Sequence, residues 1–243
     1  MTHAIVLLSG GLDSTTVATH AVNRGLDVRG LCIRYGQLHS READSAGAVA
    51  KALGIPLEVV DASFYGKLAE SSLTRADAAE VPLNRTGEDI GEGIPSTYVP
   101  LRNTFFVTVA AAALESWMLG LIDGRGVNPA GLDPMIFVGA NAIDYSGYPD
   151  CRPEFYAAVS EVLRLGSRLG TEHGVRIRIE APIIELSKAQ IVRYGTDIGA
   201  PLHLTWSCYL GGERPCGACD SCQLRAQGFA AAGIPDPALK PLP

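Results

Sequence analysis

The stretch Ala4-Ile5-Val6-Leu7-Leu8-Ser9-Gly10-Gly11-Leu12-Asp13-Ser14 decides how the rest of the chain is read. Five apolar residues predict a short buried strand and the two glycines a tight loop. Ser14 to Arg24 then has helical spacing, with Gly25 as its stop. Working outward, Val28 to Ile33 is a second strand and Ser40 to Leu53 a helix closed by Gly54 ahead of Pro56. Leu57 to Val60 is a third strand. Strands that alternate with helices predict a parallel sheet covered on both faces.

Further along, Asp61 to Val99 dissolves into polar residues, glycine and proline, which suits a functional loop or flap. Arg102 to Leu119 is apolar nearly all round and predicts a helix buried against the sheet. A Gly/Pro-rich segment from Gly120 to Pro134 leads to a strand at Ile136 to Val138. A loop over Asp144 to Arg152, a helix over Glu154 to Leu169 and a fifth strand over Val175 to Ile179 follow. Ser187 can cap a helix reaching Ile198. The expected fold is α/β, a doubly wound, parallel, five-stranded sheet over residues 1–200, with a small C-terminal region over residues 201–243 that carries Cys208, Cys216, Cys219 and Cys222, a set suited to zinc binding, and a linker-like tail from Pro235.

Composition bounds the function. The chain has 243 residues, enough for one compact α/β core with an appendage. Its 20 lysines and arginines against 26 acidic residues give a net charge of −6, and no basic run tracks phosphates, so direct nucleic-acid binding is not expected. Met1-Thr2-His3 enters the first strand without a basic start or cleavage site, so a cytoplasmic location is expected. The longest apolar stretch, Phe105 to Leu121, is interrupted by Glu115 and reads as a buried helix, not a membrane span.

The loop at Ser9 to Ser14 sits where a parallel sheet places its ligand, past the end of the first strand and at a helix N-terminus. Glycines let the backbone approach an anion, while free N–H groups, the helix dipole and the hydroxyls of Ser9 and Ser14 supply positive potential. Asp13 would repel phosphate directly, so it orients the loop or acts through Mg²⁺. No Walker sequence and no Gly-x-Gly-x-x-Gly follows a strand. The string is similar to the SGGxDS signature of the PP-loop pyrophosphatases, which implies splitting of ATP to AMP and pyrophosphate. The ATP contacts so implied run through Leu8, Ser9, Gly10, Gly11, Leu12, Asp13, Ser14 and Thr15, with Tyr35 and Gln37 at the end of the second strand.

Of six cysteines, Cys208, Cys216, Cys219 and Cys222 crowd together while Cys32 and Cys151 stand alone. Four thiolates suit one tetrahedral Zn²⁺ per chain, and a filled sulfur shell leaves no place for a metal-bound water, so its expected role is structural. An iron–sulfur cluster is the serious rival.

The string Ala142-Ile143-Asp144-Tyr145-Ser146-Gly147-Tyr148-Pro149-Asp150-Cys151-Arg152-Pro153-Glu154-Phe155 resembles the substrate loop of the 7-cyano-7-deazaguanine synthase family. The resemblance takes in Ser9 to Thr16, Tyr35-Gly36-Gln37 with His39, Tyr98-Val99-Pro100 with Arg102-Asn103, Ser187-Lys188, and Thr205 to Tyr209 through Cys222. It implies an ATP-dependent carbon–nitrogen ligase in queuosine or 7-deazapurine synthesis that turns 7-carboxy-7-deazaguanine and ammonia into the nitrile preQ0. The steps are adenylation, amide formation and a second adenylation, and a homodimer is implied too. Lys188 and Arg102, with Asp13, are the catalytic candidates, the two cations offsetting charge on the leaving pyrophosphate. Asn103, Asp144, Tyr145, Tyr148, Arg152 and Glu154 are the substrate candidates: Asp144 and Glu154 for a guanine-like N–H edge, Tyr145 or Tyr148 for its face, and Arg152 for its carboxylate. Cys151 lacks a histidine base and is not expected to act as a nucleophile. Leu101 departs from the glycine that the family's string has there. A tRNA-thiolating or amidating relative and a zinc-stabilised nucleotide-binding module are the other readings.

Overall fold

The computed structural model describes residues 2–37, 41–74, 81–85, 94, 96–141 and 148–239. Along the chain β1 (Thr2–Leu7), α1 (Leu12–Asn23), β2 (Asp27–Arg34), α2 (Arg41–Leu53), β3 (Leu57–Asp61) and α3 (Phe64–Leu68) come first. After them come α4 (Arg102–Arg125), β4 (Asp133–Phe137), α5 (Pro153–Gly166), α6 (Arg168–His173), β5 (Arg178–Glu180), α7 (Lys188–Asp197) and α8 (Asp220–Ala232). The strands form one sheet in the order β3-β2-β1-β4-β5, and every pairing is parallel. The expected doubly wound five-stranded sheet is the observed one.

Alternation along the strands builds two cores. Ile5, Leu31, Ile33 and Ile136 turn to the face covered by α4, α5 and α6. Ala4, Val6, Val28, Met135 and Phe137 turn to the face covered by α1, α2 and α7. This is period-two packing with both faces apolar, as a parallel sheet requires. The chain leaves β1 toward β2 on one side and toward β4 on the other, so the switch in strand order lies at the end of β1.

Four boundaries differ from the sequence reading. Helix α4 runs through Gly120 and Gly124, whose open sides face solvent, and ends where Gly126 turns left-handed. Leu121 and Ile122 pack on the first core and carry the helix past the two glycines. The helix is buried along one face only, at Val107, Ala110, Ala111, Leu114 and Met118. It is the one described helix long and apolar enough to span a membrane, but that face lies against β1 and β4. The single helix expected over Glu154 to Leu169 is two, because the Ser167 hydroxyl accepts the Gly170 N–H and starts α6. The strand expected over Ile136 to Val138 begins earlier, as β4 at Asp133, where it pairs with Thr2. The fifth strand pairs only from Arg178, since Val175 N–H is taken by the carbonyl of Leu169 that ends α6. The Ser187 cap is confirmed as a capping box with Gln190, placing Lys188 at the first position of α7.

Leu101, at the N-cap of α4, has φ 54° and ψ 22°. That left-handed conformation costs a branched side chain roughly 1 kcal/mol and a glycine nothing. The structure thus explains why glycine suits this position.

Candidate active site

Past the carboxyl ends of β1, β2 and β4 lies a cavity of about 320 Å³. That is room for a small ligand. One wall is the phosphate loop with Leu8, Ser9, Gly11, Leu12, Asp13 and Ser14. Cys32, Tyr35, Gln37 and Glu42 come from β2 and the start of α2, and Arg102, Asn103 and Phe106 from the start of α4. Gly139 to Asn141, Tyr148 and Cys151 follow β4, and Lys188 comes from α7. The last wall is C-terminal: Trp206, Ser207, Tyr209, Ser221, Leu224 and Arg225.

The phosphate loop is held by its own short-range bonds. Ser9 and Ser14 hydroxyls meet at 3.1 Å, the Gly11 N–H donates to Ser9 Oγ at 3.3 Å, and Ser14 Oγ donates to the Gly11 carbonyl at 3.2 Å. Gly11 brings no capping side chain to α1, which leaves the helix's first N–H groups to face a ligand. Gly10 has φ 84°, and a Cβ there would sit 2.5 Å from the Glu42 carbonyl and the Ala46 nitrogen. Only glycine lets α2 close on the loop in this way. From the other side Trp206 N–H donates to the Gly10 carbonyl at 3.0 Å.

Lys188 Nζ reaches both Asp13 oxygens, at 3.0 and 2.8 Å, across 175 residues of sequence. Its stem lies against Gly228 of α8, where any added Cβ would collide with Lys188 Cβ and Cγ. A buried Arg225 braces this C-terminal wall, donating to Thr205 Oγ1 at 2.8 Å, Ser207 Oγ at 3.2 Å and the Asp236 carboxylate.

On the far side Arg102 lies with its guanidinium 5.7 Å from the Tyr35 ring centre and 3.5 Å from its hydroxyl. Tyr35 packs at a tilt against Phe106 and is buried, which pushes its phenol up. Tyr148 is also buried and shares a 2.8 Å bond with Thr97. Burial, and then Asp150, push the Cys151 thiol up to about 11, so it stays protonated at neutral pH. Burial pushes the Glu42 carboxyl up to about 7 against the pull of Arg102.

The structure brings most sequence candidates together, though not all. Gly10 and Thr15 lie outside the cavity lining, and Thr15 is fully buried. Gln37 folds back, its Oε1 accepting the Tyr35 N–H at 2.8 Å. Asn103 takes Asp150 Oδ2 on its backbone N–H, and its side-chain amide donates to the Asp150 carbonyl and to Cys151 Sγ. It thereby locks the Pro149–Cys151 turn onto α4. Arg152 and Glu154 are exposed and outside the lining formed by the described residues. Asp144 and Tyr145 lie outside the described residues. Sequence reasoning missed Glu42, Trp206, Ser207, Tyr209 and Arg225 as cavity groups. The available signal was the segment Trp206-Ser207-Cys208-Tyr209, where polar aromatics flank a metal-ligand candidate.

The four clustered cysteine sulfurs lie within 4.8 Å of one another, with Cys216 and Cys222 3.9 Å apart. Tetrahedral zinc with bonds of about 2.3 Å separates its sulfurs by about 3.8 Å, so the cluster fits such an ion. Backbone N–H groups of Leu210 and Cys216 point at Cys208 Sγ, and those of Ala218 and Cys219 at Cys216 Sγ. These donors favour thiolates. A strap from Val81 to Arg85 docks on the knuckle: Leu83 bridges Cys219, Asn84 N–H donates to the Ala218 carbonyl, and Arg85 pairs with buried Asp220.

Comparison with known proteins places this geometry. The family model described as queuosine biosynthesis protein QueC matches residues 3–233. The chain belongs to the QueC family. A protein named 7-cyano-7-deazaguanine synthase in Thermoplasma acidophilum is 47% identical over 234 residues, covering 96% of this chain and 90% of its own length. Proteins of the same name in Trichodesmium erythraeum and Ralstonia pickettii are 43% and 46% identical, covering 96% of this chain and 98% and 96% of their own lengths. With membership in the QueC family, the Ser9 to Ser14 loop, the Lys188–Asp13 pair and the cysteine knuckle form parts of one biosynthetic enzyme.

Proposed function

We propose that this QueC-family chain converts 7-carboxy-7-deazaguanine, ammonia and ATP to 7-cyano-7-deazaguanine for queuosine synthesis. The observation that carries the reading is the Lys188–Asp13 pair set on the phosphate loop and facing Arg102 across one cavity. ATP phosphates lie on the N-terminus of α1, where N–H groups and the helix dipole receive them. Lys188 offsets the charge that develops as pyrophosphate leaves the α-phosphorus, with Arg102 reaching that charge from the acceptor side of the cavity. The oxygen donors of Asp13, Ser9 and Ser14 suit Mg²⁺, which neutralises phosphate charge when bound. Arg102 also orients the acceptor carboxylate, with Tyr148 beneath the ring. Asp144 and Glu154 are assigned to the ring's N–H edge, Tyr145 with Tyr148 to its face, and Arg152 to the carboxylate.

Carboxylate oxygen attacks the α-phosphorus and gives an acyl-adenylate. Ammonia displaces AMP to form the amide, and a second adenylation of the amide oxygen with loss of AMP leaves the nitrile. Free ammonia is the nitrogen donor in this reading. Zn²⁺ held by Cys208, Cys216, Cys219 and Cys222 shapes the wall that carries Trp206 and Tyr209 and takes no part in the chemistry. Residues 1–200 form the nucleotide unit and 201–243 the zinc-bearing region that closes it. A homodimer, a cytosolic location and no direct nucleic-acid contact complete the proposal.

The test is mass spectrometry of the purified chain with ATP, Mg²⁺, ammonium and 7-carboxy-7-deazaguanine. Nitrile formed through the amide, with AMP and pyrophosphate released, is the expected result. AMP formed only with a different acceptor overturns the substrate, and bound ATP without AMP overturns turnover altogether.

A further inference from the structure

Two carboxylates face the cavity among the described residues, Asp13 and Glu42. Lys188 holds Asp13 through both oxygens. Glu42 stands in the first turn of α2, and the close fit of its backbone carbonyl over Gly10 fixes it beside the phosphate loop. No hydrogen bond engages its carboxyl among the described residues. Its titratable and charged neighbours are Arg102 from α4, Cys32 and Tyr35 from β2, and Arg41 and Asp44 on its own helix. No histidine lines the cavity among the described residues.

The proposed reaction needs a base. Ammonia that adds to an acyl-adenylate carries a surplus proton, which has to leave nitrogen for the neutral amide to form as AMP departs. We infer that Glu42 is the proton acceptor for the attacking amine, an inference that rests on the function proposed above. The ammonia lone pair forms the C–N bond and the carbonyl electrons move to oxygen. Glu42 takes one N–H proton from the adduct. The oxygen electrons then restore C=O, and the bond to the phosphate oxygen breaks with its pair leaving on AMP. Glu42 passes the proton to solvent.

The group's acidity suits this task. Burial lifts the Glu42 carboxyl to about 7, which makes it a stronger base than an ordinary carboxylate while still ionised in part at neutral pH. Cys32 and Cys151 are both pushed to about 11 by burial, and Tyr35 and Tyr148 upward also, so they hold their protons there. Arg102 nearby helps Glu42 return to its charged form. The carboxyl must be ionised to act, so at a constant concentration of free ammonia the rate of amide formation should rise with pH through about 7.

The experiment compares Glu42→Gln with the unaltered chain in three assays: ATP–pyrophosphate exchange with the carboxylate, amide formation from ammonia, and hydroxamate formation from hydroxylamine. A hydroxylamine adduct is far more acidic and gives its proton to water, so it has little need of Glu42. The expected result is a loss of about 100-fold in amide formation, the usual scale for a positioned base, with exchange and hydroxamate formation reduced less than about 3-fold. The rise of rate with pH through neutrality should vanish as well. Equal losses with ammonia and hydroxylamine, or an unchanged pH profile, overturn the role of Glu42. If His39→Gln abolishes the profile and Glu42→Gln does not, the base is His39. Absence of exchange in the unaltered chain overturns the proposed function itself, a failure distinct from that of Glu42.

Discussion

The two ends of the cavity are built by opposite means. The phosphate end is a run of six residues that folds on itself through bonds spanning two to five positions, Ser9 to Ser14 and Gly11 to Ser9 among them. The acceptor end is assembled from parts far apart in sequence: Tyr35, then Arg102, then Tyr148. Local closure gives an anion site that any sheet of this topology can carry. Long-range assembly gives a site whose shape depends on the whole fold, and that is where a substrate is told apart from others.

If the division is real, damage at one end should leave the other's signature intact. Lys188→Met should have the largest effect, a fall of about 1000-fold in AMP formation with any acceptor, on the scale of losing one group that stabilises developing charge. Isotope exchange between ATP and pyrophosphate reads it, and the loss should be the same for carboxylate and amide acceptors. Arg102→Lys removes the planar fork that sits over Tyr35. It should lower kcat/KM for the acceptor by about 30-fold, about 2 kcal/mol, while the Kd for ATP moves less than 3-fold. A larger change in ATP affinity would erase the boundary between the two ends. Gly228→Ala touches neither ligand, yet it pushes on the stem of Lys188. It should lower kcat about 10-fold with the protein still folded by circular dichroism. Leu101→Gly should be the smallest and of opposite sign. Relief of the left-handed strain should raise stability by about 0.5 kcal/mol, or Tm by about 1–2 °C in calorimetry, because glycine's freer unfolded chain cancels part of the gain.

The same contrast explains what could be read from sequence. The phosphate loop, the Ser187 cap and the cysteine cluster are local patterns, and each forms where its residues predict. The five strands and their parallel order follow from apolar runs alternating with helices. Helix ends were less legible because a glycine on an exposed face, as at Gly120, does not stop a helix that has apolar partners further on. Glu42 was invisible as a site residue because nothing in the order of residues says that the start of α2 closes over Gly10. Asn103 lines the cavity, and its donors also hold the Pro149–Cys151 turn, which its position in the sequence does not show. Spacing shows that a residue is near a site but not which way its hydrogen bonds run.

The strap at Val81 to Arg85 finds its partners at Ala218, Cys219 and Asp220, 135 residues onward for the Arg85 pair. A ribosome makes the chain from the N-terminus, so the phosphate loop can close on α2 early, long before Trp206 and Tyr209 exist. The strap must wait for the last cysteines before it has its partners. The wall of Trp206, Ser207 and Tyr209 is among the last parts made, so the vessel for chemistry is completed only when synthesis is nearly over.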